Sequence, residues 1–347
     1  MVQNLISQKL LSQAFDLIIK ARRVVITCHM TPDGDAIGSS LCAWHLLRAM
    51  GKQTAVVTPD CIPSTLNFLP GAGNAVAASV QRDYASRLMS GADLILCLDF
   101  NELRRVDRLA PIIEASGAKR IVIDHHLNPD IKADVVISHP EVSSTCALLY
   151  SFILQTGLEE YVDTAAATCC CAGMMTDTGN FSYNSLDPRL YLILARLIEK
   201  GVDKDELYRR LFNTNSLRRL RIMAYAQLRK MHVMPEHHCA IITLSLAELK
   251  EFDYHRGDTE SLVNVPLSIP GIIYSIYLRE DAENYVKVSM RSRGDFSVRE
   301  LCERYFGGGG HHNASGGEVS DSLDAALQKV LEIIPECDRM IAESETE

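Results

Sequence analysis

Residues 24–35, VVITCHMTPDGD, join a β-branched apolar run to a loop that carries two aspartates. Two further apolar runs, at 94–98 and 121–123, also end at an acidic residue, Asp99 and Asp124. Segments with helical spacing lie between these runs, at 36–50 and 107–116. Continuous apolar strands that alternate with helices are typical of a parallel sheet covered on both faces. We therefore predict an α/β fold, and we expect the functional site where the strands end.

The pattern changes along the chain. Residues 143–213 have mostly helical spacing, and helical spacing continues at 217–231. Strand-like runs and two further helical segments follow, at 240–243, 272–278, 285–290, 297–305 and 322–334. We predict a parallel-sheet domain with flanking helices at 1–213, a helical linker at 214–235, and a smaller α+β domain at 236–347.

Composition excludes several classes of protein. The 347 residues carry 47% hydrophobic and 23% charged side chains, an ordinary globular mixture. The net charge of −9 argues against binding along a long nucleic acid. No apolar run reaches the ~20 residues of a membrane span, and the amino terminus resembles an amphipathic helix more than a signal peptide. The eleven cysteines include no C-x-x-C pair, so we expect reduced thiols and a cytoplasmic protein.

The pair Asp33 and Asp35 is the first candidate metal site. Two carboxylates two residues apart on an extended loop lie on the same side, with Cα atoms roughly 6–7 Å apart. That spacing suits two metal ions, one for each carboxylate. A turn with helix-capping aspartates explains the same residues equally well, because Asp-Gly is a common turn dipeptide.

Three other polar positions follow apolar segments. Asp99 ends a strand, where a helix or turn cap is the alternative function. Asp124, His125 and His126 end another strand, and a polar loop is the alternative there. Adjacent side chains on an extended chain point in opposite directions, so one histidine can bind a metal while the other faces the substrate. Asp177 ends an apolar helix, where the helix dipole disfavours a carboxylate and a cation would offset it.

The glycine-rich segment 306–317, FGGGGHHNASGG, is the last candidate. Consecutive glycines let the backbone approach an anion and expose its N–H groups. Upstream, Arg291 ends a predicted strand and could bind a phosphate or carboxylate. A solvated arginine at a strand end is the alternative.

Together these motifs resemble the DHH phosphoesterase family. The family's named motif stands here as Asp124-His125-His126, and the other motifs follow the family's order: His29 with Asp33-Gly34-Asp35, then Asp99, then Asp177. The glycine segment resembles the signature of the DHH-associated carboxyl-terminal domain. The resemblance covers about residues 20–335. It is greatest to small bacterial oligoribonucleases, or nanoRNases, that also remove phosphate from 3′-phosphoadenosine 5′-phosphate.

The resemblance implies a hydrolase whose active site lies in the cleft between the two domains. It implies one metal ion bound by His29, Asp33 and Asp99, and a second bound by Asp35, Asp99, His125 and Asp177. Such mixed imidazole and carboxylate ligands favour Mn²⁺. The catalytic residues would be Asp99, which bridges the metals, and His126. Substrate would be bound by His126 and by residues of the second domain, namely Arg291, Gly308, Gly309, Gly310, His311 and Asn313.

The expected substrates are short RNA oligonucleotides or small nucleotides, hydrolysed by a water that two metals activate. Alternatives are a phosphodiesterase for cyclic or linear dinucleotides, an inorganic pyrophosphatase, a polyphosphatase and a nucleotide-binding module without turnover. The sequence predicts no membrane partner and is compatible with a homo-oligomer.

Overall fold

The computed structural model describes residues 5–344, with the side chain of Ser344 excepted. The chain divides into two compact units, one up to Thr214 and one from Asn215 onward. Each unit has its own six-stranded sheet and its own hydrophobic clusters. Within residues 5–344, no helix combines the length and the apolar composition that crossing a membrane requires.

The sheet of the first unit is wholly parallel, with strand order β3-β2-β1-β4-β5-β6. The strands are β1 (Arg23–Thr27), β2 (Gln53–Thr58), β3 (Val76–Ala77), β4 (Leu94–Leu98), β5 (Lys119–Asp124) and β6 (Val135–Ser138). The chain runs outward from β1 to β3 and then returns to place β4 on the other side of β1. This reversal makes a topological switch point between β1 and β4, where open α/β sheets bind ligands.

Helices cover both faces of this sheet. They are α1 (Gln8–Lys20), α2 (Gly34–Ala49), α3 (Arg82–Ser90), α4 (Ala110–Ala115), α5 (Thr145–Thr156), α6 (Thr164–Asp177), α7 (Pro188–Glu199) and α8 (Lys204–Phe212). Alternate strand residues enter two separate cores: Ile26 packs in the core that includes α2, α5 and α6, and Val25 packs in the core that includes α3 and α4. The predicted α/β fold with flanking helices is confirmed.

The helix predicted at 107–116 is shorter than expected. A 3₁₀ segment, Leu103–Leu109, precedes α4, and Asp107 within it has φ 43°. A residue in the left-handed region cannot continue a right-handed helix, so α4 begins only at Ala110.

The sheet of the second unit is mixed, with order β11-β12-β10-β9-β8-β7. Its strands are β7 (Met231–Met234), β8 (Cys239–Leu244), β9 (Tyr274–Ala282), β10 (Tyr285–Ser292), β11 (Gly309–His311) and β12 (Ala314–Val319). Its helices are α9 (Leu217–Tyr225), α10 (Leu246–Glu251), α11 (Val298–Tyr305) and α12 (Leu323–Ser344). Strands β8 and β9 are parallel, and the other pairs are antiparallel. This is the predicted α+β domain.

Residues 214–235, for which we predicted a helical linker, do more than connect. After α9 and a π-helical turn at Ala226–Lys230, the chain forms β7, which pairs with β8. Ile222 and Ala226 are fully buried in a cluster that includes Ile242. The segment therefore lies in the sheet and core of the second unit, because its apolar side chains pack there.

Candidate metal centre

The six predicted metal ligands and His126 converge at the switch point of the first sheet. His29 follows β1, Asp99 follows β4, and His125 and His126 follow β5. Two helix ends supply the remaining carboxylates. Asp33 caps the amino terminus of α2, Asp35 lies in the first turn of the same helix, and Asp177 is the last residue of α6.

The donor atoms are spaced as ligands of shared cations are. Nε2 of His29 lies 3.7 Å from Oδ1 of Asp33 and 3.4 Å from Oδ2 of Asp99. Nε2 of His125 lies 3.4 Å from Oδ2 of Asp177 and 3.5 Å from Oδ1 of Asp99. Nitrogen and oxygen ligands that each bind an ion at about 2.0–2.2 Å are themselves roughly 3–4 Å apart.

One donor set that the geometry allows is His29 with Asp33 and Asp99, which is the first expected site. Another is Asp35 with His125 and Asp177, which contains three of the four ligands expected at the second site. The two oxygens of Asp99 face different histidines, Oδ2 towards His29 and Oδ1 towards His125. A carboxylate in that position can contribute one oxygen to each of two ions. A third set combines Asp99, His125 and His126.

The crowding of carboxylates changes their affinity for protons. Burial and the nearby charges of Asp35 and Asp99 raise the pKa of Asp177 to about 10. Burial and Asp99 likewise raise the pKa of Asp35. Burial opposes ionisation of His29, but hydrogen bonding to Asp33 and Asp99 outweighs it and raises the pKa of His29 to about 10.

Asp99 behaves in the opposite way. Burial acts to raise its pKa, but His29, His125 and His126 outweigh burial and lower the pKa of Asp99 to about 2. The four carboxylates together carry about −4 when ionised, and two divalent cations would neutralise that charge. The residues present therefore fit a pair of divalent cations.

The amino terminus of α5 holds two of the carboxylates in place. The backbone N–H groups of Thr145 and Cys146 donate to the two oxygens of Asp35, at 2.6 and 2.9 Å. The hydroxyl of Thr145 donates to Oδ1 of Asp99 at 2.9 Å. Free N–H groups and the helix dipole favour a carboxylate at this end of a helix. Asp35 is fully buried, and these bonds satisfy both of its oxygens.

Asp99 also has an unusual backbone. Its φ is 64°, in the left-handed region that residues with side chains seldom adopt. Its N–H nevertheless bonds to the carbonyl of Ile123 on the neighbouring strand, at 3.2 Å. Such conformations concentrate at functional sites, where the surroundings hold them in place. Here the turn allows one buried carboxylate to face His29 and His125 together.

We predicted that the side chains of His125 and His126 point in opposite directions, and this prediction is wrong. Their ring centroids are 4.8 Å apart, and both rings approach Oδ1 of Asp99. The alternation rule fails because β5 ends at Asp124, so the pair lies beyond the extended strand. Asp124 instead fixes His126, whose Nδ1 lies 2.7 Å from Oδ1 of Asp124 and whose backbone N–H donates to Oδ2.

Close packing of α2 against α6 brings Asp35 towards Asp177. A Cβ atom built on Gly38 would lie 2.6 Å from the carbonyl oxygen of Cys169. A Cβ atom on Gly173 would lie 2.3 Å from Sγ of Cys146 and 2.9 Å from Oδ1 of Asp35. Only glycine permits this separation of the two helices.

In the second unit, Arg291 lies on β10 and is half-buried. Its Nη1 donates to the carbonyl of Met290 at 2.9 Å, and no carboxylate of the described residues forms an ion pair with it. Burial lowers the pKa of Arg291. Asn313 donates through its amide nitrogen to Oγ of Ser292 and to the carbonyl of Gly294, at 3.0 and 2.9 Å. Among the described residues, no donor bonds to its amide oxygen.

The glycine segment is an edge strand rather than an open loop. Gly309, Gly310 and His311 pair with β12, and the N–H of Gly308 already donates to the carbonyl of Cys302. A Cβ atom on Gly308 would lie 1.8 Å from the carbonyl oxygen of Gly316. Close approach between backbones therefore explains this glycine without an anion.

Family models match both units. The model of the DHH family, N-terminal domain, matches residues 23–174, and that of the DHHA1 domain matches residues 239–336. The chain belongs to the DHH family. The first match includes every candidate site residue of the first unit except Asp177, which lies just beyond it.

Individual relatives of this DHH protein extend over both units. It is 31% identical over 316 residues to a Thermus thermophilus protein described as a bifunctional oligoribonuclease and PAP phosphatase NrnA, covering 90% of this chain and 89% of that one. It is similar to the crystal structure of an exopolyphosphatase-related protein from Bacteroides fragilis, with TM-score 0.94, 39% identity, and coverage of 98% and 100%. A cyclic-di-AMP phosphodiesterase GdpP from Geobacillus thermodenitrificans is 23% identical over 92% of this chain and 48% of its own length.

Sequence reasoning missed one residue of this DHH site. Thr145 contacts both Asp35 and Asp99, yet it lies 46 residues from Asp99 along the chain. Ser144 before an apolar run is a typical helix amino-terminal signal, and its side chain accepts from the N–H of Ala147 as a cap. That signal locates the start of α5 but does not identify what the helix end faces.

Proposed function

We propose that this chain is a metal-dependent phosphoesterase that hydrolyses short oligoribonucleotides and 3′-phosphoadenosine 5′-phosphate. The observation that carries the proposal is the position of Asp99, whose two oxygens face His29 and His125 in neighbouring donor sets. The Thermus thermophilus relative, whose alignment covers about nine-tenths of both chains, is described as an oligoribonuclease and a PAP phosphatase. That description supports the choice of these two substrates.

In this proposal each of two ions has its own set of ligands. We assign His29, Asp33 and Asp99 to one ion, and Asp35, Asp99, His125 and Asp177 to the other. When bound, two divalent cations lower the pKa of a water and neutralise charge on the phosphoryl oxygens. The mixture of imidazole and carboxylate donors supports Mn²⁺ as the metal.

Protein groups around the ions position the reacting atoms. Thr145 and the amide groups of α5 orient Asp35 and Asp99, and these two carboxylates would hold the ions when they bind. Nδ1 of His126 is bonded to Asp124, which leaves Nε2 to contact a phosphoryl oxygen. We therefore assign substrate contact, rather than metal binding, to His126.

Recognition of the nucleotide falls to the second unit in this proposal. Arg291 is a half-buried cation with which no described carboxylate forms an ion pair. Its Nη1 donates to the carbonyl of Met290, and its remaining N–H groups would bind a phosphate. His311 is exposed on β11, in register with Arg291 across the intervening strand β12. The amide oxygen of Asn313 would accept from the ligand. A ligand could approach the backbone closely at Gly308, Gly309 and Gly310, because glycine has no side chain.

The test is a panel of substrates with and without Mn²⁺. It includes di- to pentanucleotides, 3′-phosphoadenosine 5′-phosphate, a cyclic dinucleotide, pyrophosphate and polyphosphate. We expect metal-dependent release of mononucleotides from the short RNAs and of phosphate from the bisphosphate. Asp99→Asn is the matched control, because asparagine tolerates the left-handed backbone but cannot provide two anionic oxygens. Equal hydrolysis by wild type and Asp99→Asn would overturn the proposal.

Cyclic or linear dinucleotides are the second candidate substrates. The similarity to the GdpP phosphodiesterase favours this activity, although the chain spans only 48% of that protein. The same panel decides between the two, since a cyclic-dinucleotide enzyme would turn over the cyclic substrate faster than the trinucleotide.

A further inference from the structure

The second unit has a cavity that the proposed function does not use. Its volume is about 560 Å³, and α10, the loop after α10, β9 and β10 line it. Lys287 of β10 is one of the lining residues, and Arg291 lies four residues farther along the same strand. Four residues of an extended strand span roughly 13 Å, so the cavity is separate from the proposed nucleotide-binding residues.

The charged residues of the wall are unequally paired. Four are cationic and two are anionic: Lys250, Arg256, Arg279 and Lys287, with Asp253 and Asp281. Both carboxylates already have partners. Asp281 accepts from Nη2 of Arg279 at 2.9 Å, and Asp253 lies 3.6 Å from Nη1 of Arg218, which is outside the wall. The wall therefore has an excess of positive charge.

The remaining cations have no such partner. Among the residues that the structure describes, Lys250, Arg256 and Lys287 form no ion pair, and all three are exposed. Like charges that are left together without a counter-ion repel one another, and a bound anion would offset this repulsion. In a chain of net charge −9, such a cluster is a local exception.

Arg279 gives the cavity a fixed wall. Its guanidinium lies over the ring of Tyr254, 5.2 Å from the centroid, and its Nη1 donates to Oγ1 of Thr259 at 3.3 Å. Leu246 and Leu249 add an apolar side. The volume falls in the range of about 300–1,000 Å³ in which proteins bind small molecules. The wall thus combines exposed cations, a held guanidinium and a small apolar surface.

We propose that this cavity is a second phosphate-binding site, independent of the metal centre, in which Lys250, Arg256 and Lys287 contact the anion. Lysine binds phosphate as a compact point charge, and several lysines and arginines together suit a phosphate dianion or a phosphodiester. The phosphate belongs either to a small phosphorylated molecule or to the backbone of a single-stranded oligonucleotide.

The first experiment measures binding without hydrolysis. The full chain is freed of metal with a chelator and titrated calorimetrically with adenosine 5′-monophosphate and with inorganic phosphate. We expect Lys250→Glu/Lys287→Glu to weaken binding at this site by at least about tenfold, since two attractive charges become repulsive. The control Lys9→Glu/Lys20→Glu makes the same change of charge on α1, and Arg291→Ala removes the proposed nucleotide site. Both should retain the binding that the cavity variant loses.

The second experiment identifies the source of the phosphate. With Mn²⁺ present, KM is compared for a dinucleotide and a pentanucleotide. If the cavity binds RNA backbone, the cavity variant raises KM for the pentanucleotide and leaves that for the dinucleotide unchanged. If it binds a small molecule, both KM values stay unchanged while adenosine monophosphate binding is lost.

Two results would overturn this inference. One is unchanged binding of both probes by the cavity variant, and the other is binding that disappears in Arg291→Ala alone. Melting curves of each variant show whether it is folded, and the exposed lysines make folding the expected outcome. Because the calorimetric readout requires no turnover, its failure is distinguishable from failure of the proposed hydrolysis.

Discussion

Replacement of Thr145 by valine tests whether α5 positions the metal ligands. Valine has nearly the shape of threonine but lacks the hydroxyl that donates to Oδ1 of Asp99 at 2.9 Å. The backbone N–H that bonds to Asp35 stays in place, so the substitution removes one hydrogen bond and little else. Thr145 is fully buried, and no water replaces the lost donor readily.

The size of the effect follows from the kind of bond. A hydrogen bond to a charged group contributes about 1.5–3 kcal/mol. Loss of an outer partner of a metal ligand typically weakens metal affinity by about 10–100-fold, which is roughly 1.4–2.8 kcal/mol. The two ranges agree, so we expect Thr145→Val to bind Mn²⁺ about 10–100-fold more weakly than the wild type.

The assay is calorimetric titration of the metal-free protein with Mn²⁺, and Thr145→Ser is the matched control. Serine keeps the hydroxyl and loses only a methyl group, so its metal affinity should stay close to that of the wild type. If Thr145→Val binds Mn²⁺ normally, the positioning role is wrong. If Thr145→Ser is as weak as Thr145→Val, packing of the methyl group rather than the hydrogen bond is what matters.

Three further predictions concern single side chains. His125→Ala should lose bound metal, whereas His126→Ala should keep its metal and lose turnover; metal analysis of the purified variants would disprove this if both lost metal equally. Burial and neighbouring carboxylates raise the pKa of Asp177 to about 10, so the metal-free protein should become less stable as pH rises from about 4 towards 10. Asp177→Asn should flatten that dependence in urea unfolding at several pH values, and an unchanged slope would contradict the assignment. Burial opposes ionisation of Glu248, but hydrogen bonds, first from the backbone of Ser245, lower its pKa to about 2. That carboxylate stabilises the fold above its unfolded pKa near 4, and the stability is lost as pH falls towards 2. Glu248→Gln should therefore lower the free energy of unfolding at neutral pH and make it less sensitive to acid, which acid titration of both proteins will test.

The central strands were predictable because their signal is local. Leu94–Leu98 is a continuous apolar run that ends at a charged residue, and the structure has the strand at those residues. Strand β2 and the edge strands β3 and β6 escaped prediction, since short runs with partly polar residues differ little from loops. Thr145 escaped because its partners are distant in sequence.

Local rules also misled in two places. The alternation of side chains along a strand was applied to His125 and His126, which lie after the strand has ended. The run of glycines indicated an open anion-binding loop, whereas Gly308 is needed for close contact with the backbone of Gly316. Glycine serves both purposes, and a sequence alone does not distinguish them.

The glycines between α2 and α6 have a consequence for metal selectivity. Asp35 and Asp177 are carried by different helices, so the distance between their carboxylates depends on how closely the helices approach at Gly38 and Gly173. An added methyl group would push the helices apart or displace Asp35, and the opening between the oxygens would widen. Ca²⁺ binds oxygen at about 2.3–2.6 Å and Mg²⁺ at about 2.0–2.1 Å, so a few tenths of an ångström separate sites for ions of different radius. In the proposed metal site, residues that touch no ion would thereby influence which ionic radius is accepted.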